Sequence, residues 1–212
     1  MRVRAAIKQS VRRARDKHPR TDGQTGVDLY EKDLRRERKV CAKGDLKGAD
    51  LRCAYGPLVD LSWSQLQRAN LTDAFLHTAN FEGADLGGAR IYRVYFGGAN
   101  LRGANLSRVD AHSPSYRPKP FPHPARSKTN FIFADLSCAE MEAANLRGAI
   151  LERTCLDGAN LERTILCGAS LKDASVIGAK LERAYYSDST IFPSDDFDPE
   201  AAGMVKLEGA QE

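Results

Sequence analysis

At 212 residues the chain is long enough for one full domain, and 28% of it is charged, with a formal net charge of only +4. The balance is uneven: residues 1–40 hold 13 Lys/Arg against 6 Asp/Glu and the rest hold 19 against 22, so a basic front end precedes a nearly neutral body. No run of about 20 apolar residues exists to span a membrane, no apolar signal core opens the chain, and five scattered cysteines without a CxxC pair suit free, buried thiols in a reducing cytoplasm.

Residues 1–22 form the basic arm. MRVRAAIKQSVRRARDK places Val3, Ile7, Val11 and Ala14 on one stripe of a helix whose other faces are cationic. Either it is a solvated tail or it reaches nucleic acid. Its apolar stripe lacks Trp, Phe and Leu, which argues against membrane binding. Residues 23–43 come next, and in VDLYEKDLRRERK the residues Val27, Tyr30 and Leu34 fall at helical spacing. The spacing predicts a helical N-terminal cap.

From residue 44 the chain repeats every five residues. Leu46, Leu51, Leu61, Leu66, Leu71 and Leu76 begin a series that, with one gap, runs to Ile191. Of its 27 positions only Gly56 and Ala111 lack a large apolar side chain, and the residue two places earlier is always Gly, Ala, Val, Ser or Thr. Five residues turn an α-helix by about 500°, which would smear the leucines around it. On a straight strand an odd period would send successive leucines to opposite faces. The pattern therefore requires a chain that turns once per repeat and winds into a coil, with large and small residues sharing the bore. Backbone groups then pair with the coils above and below, about 4.8 Å away.

The unit is A-(N/D)-L-x-x, as in Ala99-Asn100-Leu101, Ala104-Asn105-Leu106, Ala144-Asn145-Leu146 and Ala159-Asn160-Leu161. This resembles the pentapeptide-repeat family over roughly residues 44–191. The resemblance implies an all-β fold, a right-handed quadrilateral β-helix with four repeats per coil. About seven coils and a rod roughly 35 Å long follow at β-spacing.

Residues 112–130, HSPSYRPKPFPHPARSKTN, break the pattern with five prolines, which donate no backbone hydrogen bond and do not sit in a paired ladder. An extended loop on the rod is expected. It carries Tyr116, Arg117, Lys119, Phe121, His123, Arg126 and Lys128 and no acid, which makes these the candidate partner-binding residues. The leucine phase survives across it, since 111 to 131 is twenty residues, the length of one whole coil.

After Ile191, residues 192–212 read as a C-terminal cap and tail. Pro193 ends the repeats, Asp198 caps a short helix opening at Pro199 and Glu200, and Gly203 stops it. The wording TIFPSDDFDPEAAGM resembles the C-terminal ends of many bacterial members of the family, cyanobacterial ones especially. In some relatives this end carries a homodimer contact, which the resemblance leaves open here.

No catalytic constellation stands out. His18, His77, His112 and His123 are far apart, and Gly83, Gly98, Gly103 and Gly148 recur where turns are needed. Glu142, Glu162 and Glu182 would stack on one face beside Arg163 and Arg183, as a solvated charge ladder. The expectation is a non-enzymatic protein-interaction module or scaffold without metal or cofactor. It would meet an unidentified protein partner through its outer faces and the 112–130 loop. One branch of the family implies an alternative, a rod that mimics duplex DNA, binds DNA gyrase or another type II topoisomerase, and protects it from quinolones. A near-neutral repeat region, 17 Lys/Arg against 16 Asp/Glu over 44–191, weighs against that. Nucleic-acid contact through the basic arm is the third reading.

Overall fold

The pentads share one way of spending their backbone donors. A computed structural model describes residues 29, 33–34, 42–112 and 128–208. In the pentad around Leu51, the Leu51 N–H donates to Asn70 O of the next coil (2.8 Å) and the Cys53 N–H to Thr72 O (2.9 Å). The Ala54 N–H turns back to Leu51 O (3.1 Å), closing a corner, and the Asn70 N–H reaches down to Ala49 O (2.9 Å). One donor per pentad is left over, that of the residue after the leucine. Where the repeat carries Asn or Asp it goes to the side chain two places before it: Arg52 N to Asp50 Oδ1, Thr72 N to Asn70 Oδ1, Ser107 N to Asn105 Oδ1. The Asn/Asp of the repeat is therefore an Asx turn that completes the backbone accounting.

Parallel backbone pairings recur every twenty residues, as in Asp45 to Gln65 to Asp85 to Asn105, and four such columns run the length of the rod. Four pentads make one coil. We call the sides A (starting at Asp45), B (Asp50), C (Tyr55) and D (Asp60). The leucine positions and the small residues before them point inward and form one continuous core. At corner after corner the residue two places beyond the leucine has φ between 53° and 67°. Sixteen such residues are not glycine, so the paired ladder, rather than glycine freedom, holds the chain left-handed there.

The two exceptions in the leucine series have local explanations. At Gly56 a Cβ would lie 3.2 Å from Leu34 Cβ and Cδ1 and from Leu76 Cδ2, because Leu34 enters the bore from the N-terminal segment. Leu29 and Leu34 are five residues apart, and their N–H groups pair with Asp50 O and Tyr55 O (2.6 and 2.8 Å). They start a partial coil on sides B and C, so the helical spacing of Val27, Tyr30 and Leu34 misassigned Leu34. It lies one pentad after Leu29, two residues out of phase with the main series, and the rest of the expected helix lies outside the described residues. Ala111 shares its coil with Phe131, whose ring stacks on Phe96 at 5.1 Å.

The insertion does not supply a coil. Tyr95 pairs directly with Asn130, and Asn100, Asn105 and Asp110 pair with Asp135, Glu140 and Asn145, all 35 apart instead of 20. The excess is fifteen residues, 113–127, placed within one turn at the corner between sides B and C. His112 still makes its Asx bond to Asp110 (3.0 Å). Thr129 closes the corner where the chain returns: its buried hydroxyl accepts the Arg93 N–H (3.0 Å) and donates to Ile91 O (2.7 Å).

At the C-terminal end the phase slips by one. Ser170 pairs with Ile191, 21 residues on, so Ile191 faces outward at 51% exposure. Thr190 takes the small inward position and Phe192 packs against the core. The expected inward Ile191 is thus corrected to Phe192, because residues 187–190 hold one extra residue. The cap helix reduces to a single turn. Asp198 Oδ1 accepts the Glu200 and Ala201 N–H groups (both 3.0 Å). Gly203 at φ 75° ends it, with Gly203 N to Glu200 O and Met204 N to Pro199 O (both 2.9 Å), a Schellman closure. The capping residues are as expected, but their N- and C-terminal devices lie so close that no longer helix fits between them. The chain then returns to the rod, and β2 (Val205–Lys206) pairs parallel with β1 (Tyr185–Tyr186).

Candidate interaction surface

With the bore filled, only the outer letters of each pentad face solvent, and the twenty-residue register decides which of them become neighbours. Side A carries charge. The Arg163 guanidinium lies 3.4 Å from Glu142 Oε1, and Asn160 Nδ2 donates to Glu140 Oε2 (2.9 Å). This is the expected charge ladder, with both partners half exposed, where such pairs add little stability. Side D carries amide and carboxylate stacks, with Asn100 Nδ2 on Asn80 Oδ1 (3.1 Å) and Asn80 Nδ2 on Asp60 Oδ1 (3.3 Å).

Further along side D, Ser175 Oγ and the Ile177 N–H both donate to Asp157 Oδ1 (2.5 and 3.0 Å). The Ser175 bond, followed by that of Ile177, holds the Asp157 carboxyl below its ordinary range, while burial pushes the neighbouring Cys155 thiol up. Cys167 is buried and Cys53 and Cys155 are half-buried; Cys138 sits exposed on a left-handed corner, so the expectation of buried cysteines fails there.

Side C differs from the others. Its outward residues over four successive coils are Tyr55, Pro57 and Leu58; Phe75, His77 and Thr78; Tyr95, Gly97 and Gly98; and Asn130, Ile132 and Phe133. None of them is Asp, Glu, Lys or Arg. Tyr55 and Phe75 stack at 5.3 Å with their planes 2° apart, Phe75 and Tyr95 follow at 5.1 Å and 14°, and His77 packs on Phe75 at 4.6 Å. Leu58 is 54% exposed and Phe133 61%. An aromatic ladder with exposed apolar shoulders is a surface of the kind that marks interaction sites.

The corner between sides B and C borders this ladder, and the 113–127 insertion leaves the rod there. Of the expected contact residues, Tyr116, Arg117, Lys119, Phe121, His123 and Arg126 lie outside the described residues. Lys128 is described; it is exposed at the corner, and its Nζ lies 3.9 Å from where a Gly148 Cβ would be. One coil below it, Arg93 pairs with Asp73, both nearly buried. Sequence reasoning missed the side C aromatics. Their signal was present as Tyr55, Phe75 and Tyr95 at twenty-residue spacing, each just before an inward position, but it stays hidden while only the leucine phase is read.

Among the described residues no cluster of His, Cys, Asp and Glu could hold a metal ion, and no helix is long and apolar enough to cross a membrane. The architecture is that of a parallel, four-sided repeat solenoid whose chemistry lies on its outer sides. The family model for pentapeptide repeats (8 copies) matches residues 60–98, 89–113, 127–163 and 156–185, more than half of the chain, and the protein belongs to that family, whose fold is a right-handed quadrilateral β-helix and whose members are generally non-catalytic. Among solved structures it is similar to alr5209, a pentapeptide repeat protein from Nostoc PCC 7120, at 28% identity over 60% of this chain and 84% of that one, TM-score 0.35. HetL, a pentapeptide repeat protein involved in heterocyst differentiation regulation from the cyanobacterium Nostoc sp. strain PCC 7120, matches at 26% identity over 85% and 79%, TM-score 0.32. QnrB1, a plasmid-mediated fluoroquinolone resistance protein, matches at 14% identity over 90% and 88%, TM-score 0.48. Among curated proteins none matches.

Proposed function

We propose that the protein is a non-enzymatic, cytoplasmic interaction module that engages a protein partner through side C and the adjoining 113–127 insertion. The uncharged aromatic ladder is the observation that carries this reading. Stacking of Tyr55, Phe75 and Tyr95 stabilises the rod itself, but Leu58 and Phe133 beside them stay exposed, and a partner covering this side gains apolar burial. The insertion, whose flanking residues His112 and Lys128 lie at the corner beside this side, contains cations and two aromatic residues and no acid.

The test is a site-specific photo-crosslink in the source cell, with the reactive group placed at Phe75 or, as a control, at Glu162 on side A. Partner adducts should form from position 75 and not from 162. They should weaken when residues 113–127 are removed, an excision that joins His112 to Lys128 and restores an unbroken five-residue spacing from Ala111 to Phe131. Equal labelling from both sides sinks the assignment of the surface. Topoisomerase binding by DNA mimicry ranks below this reading, because the glutamates of side A are interleaved with Arg163 and Arg183.

A further inference from the structure

A cavity of about 180 Å³ opens at the corner between sides B and C, next to the point where the insertion leaves the rod. Its walls are Tyr92, Ala111, His112, Lys128, Arg147 and Cys167, and Gly148 and Gly168 form the remainder. The two glycines explain why a recess exists. At earlier corners of side B the same position holds Cys53, Asp73 and Arg93, whereas here two successive coils present bare backbone in the left-handed region, at φ 62° and 66°. Lys128 lies across the first of them.

The chemistry of the walls is one-sided. Lys128 and Arg147 bring two fixed positive charges to one small cavity, and no carboxylate lines it among the described residues. Neither side chain has an ion-pair partner among those residues, in contrast to Arg93, which is paired with Asp73 one coil below. Asp110, on the same side, is already engaged, accepting the His112 N–H and Asn145 Nδ2 (both 3.0 Å). Two like charges sharing a recess repel, and a doubly charged anion removes that repulsion. The His112 imidazole and the Tyr92 hydroxyl are further hydrogen-bonding groups on the walls.

We propose that this corner cavity binds a single phosphate group, with Lys128 and Arg147 as its charge partners. A carboxylate would neutralise only one of the two cations, whereas a phosphate monoester carries about −1.5 to −2 at neutral pH and accepts hydrogen bonds on three oxygens. The planar fork of Arg147 matches two of those oxygens. Size sets the other limit. The volume equals that of roughly six waters, enough for a phosphate with little attached and well below the several hundred Å³ of a drug-sized ligand site. Free phosphate and a phosphorylated side chain offer this group alike. The inference does not depend on what side C binds.

The experiment uses the full chain in near-physiological chloride. Inorganic phosphate is titrated while its 31P resonance is followed, and a phosphoserine peptide and its unphosphorylated form are titrated by calorimetry. Saturable binding of phosphate, the phosphopeptide or both is expected, with no heat from the unphosphorylated peptide. Binding of both would show that the group alone is recognised; binding of the phosphopeptide only would show that the phosphate is read on a protein. Lys128→Gln with Arg147→Gln should weaken binding at least tenfold at an unchanged melting temperature, and Arg163→Gln on side A should leave it unaltered. Non-saturable binding of both phosphate probes, or undiminished affinity in the folded double variant, would overturn the proposal.

Discussion

Replacing Thr129 by valine separates two jobs that an inward threonine performs in this coil. Thr129 and Thr154 are each 1% exposed and occupy the same small position of the pentad. The Thr154 hydroxyl only donates, to Phe131 O at 2.9 Å, and that carbonyl keeps the Ala134 N–H at 2.8 Å when the hydroxyl is gone. Thr154→Val therefore loses one ordinary bond, about 0.5–1.5 kcal/mol. Thr129 also accepts the Arg93 N–H at 3.0 Å, standing in for the carbonyl that the next coil supplies at a regular corner. Valine has no acceptor, so a buried backbone donor loses this partner at about 1–3 kcal/mol in addition to the lost donation to Ile91 O. For a chain of this length 1 kcal/mol corresponds to about 2–4 °C in melting temperature. Thermal unfolding followed by circular dichroism should show Thr129→Val falling on the order of 10 °C and Thr154→Val about 3 °C. Equal falls would refute the argument that Thr129 replaces a missing rung at the corner.

The filling of Gly56 by Leu34 predicts a compensating pair. Gly56→Leu alone overpacks the bore and should cost about 1–3 kcal/mol, and adding Leu34→Ala should recover much of the loss in a denaturant melt. Thr78, a β-branched residue at φ 53°, stores left-handed strain on an exposed corner. Thr78→Gly should raise the melting temperature by about 2 °C, glycine's own chain entropy offsetting part of the relief. Among the thiols, exposed Cys138 should react with a thiol-labelling reagent at pH 7.5 well before Cys155, since burial raises the Cys155 pKa and leaves less thiolate there. Peptide mapping of the labelled protein reads the order.

The inward half of the fold was legible because each bore position is a local choice, one large and one small residue per pentad, visible without knowing its neighbours. Gly56 and Ile191 escaped for opposite reasons. Gly56 is completed by Leu34, 22 residues away, and the phase of Ile191 depends on one extra residue within 187–190. The Asn/Asp letter was visible as a pattern, but its purpose required the hydrogen-bond inventory of a whole pentad. The candidate surface was least legible. Residues such as Phe75 and Tyr95 are neighbours only through the coil, so the ladder appears in the twenty-residue register and not along the chain. The insertion stood out by its prolines, yet its length of chain between Ala111 and Phe131 suggested a coil that the pairing of Tyr95 with Asn130 excludes.

That same pairing makes the corner between sides B and C a port. Chain that leaves after His112 and returns at Lys128 rejoins the stack in register whatever its length, because the coils on either side are already bonded to each other and Thr129 supplies the missing acceptor. The segment in the port can lengthen, shorten or change composition without moving a single outer side. Recognition carried there is free to diverge while the rod beneath it stays constant, and a foreign peptide spliced between those two residues would be displayed on an intact scaffold.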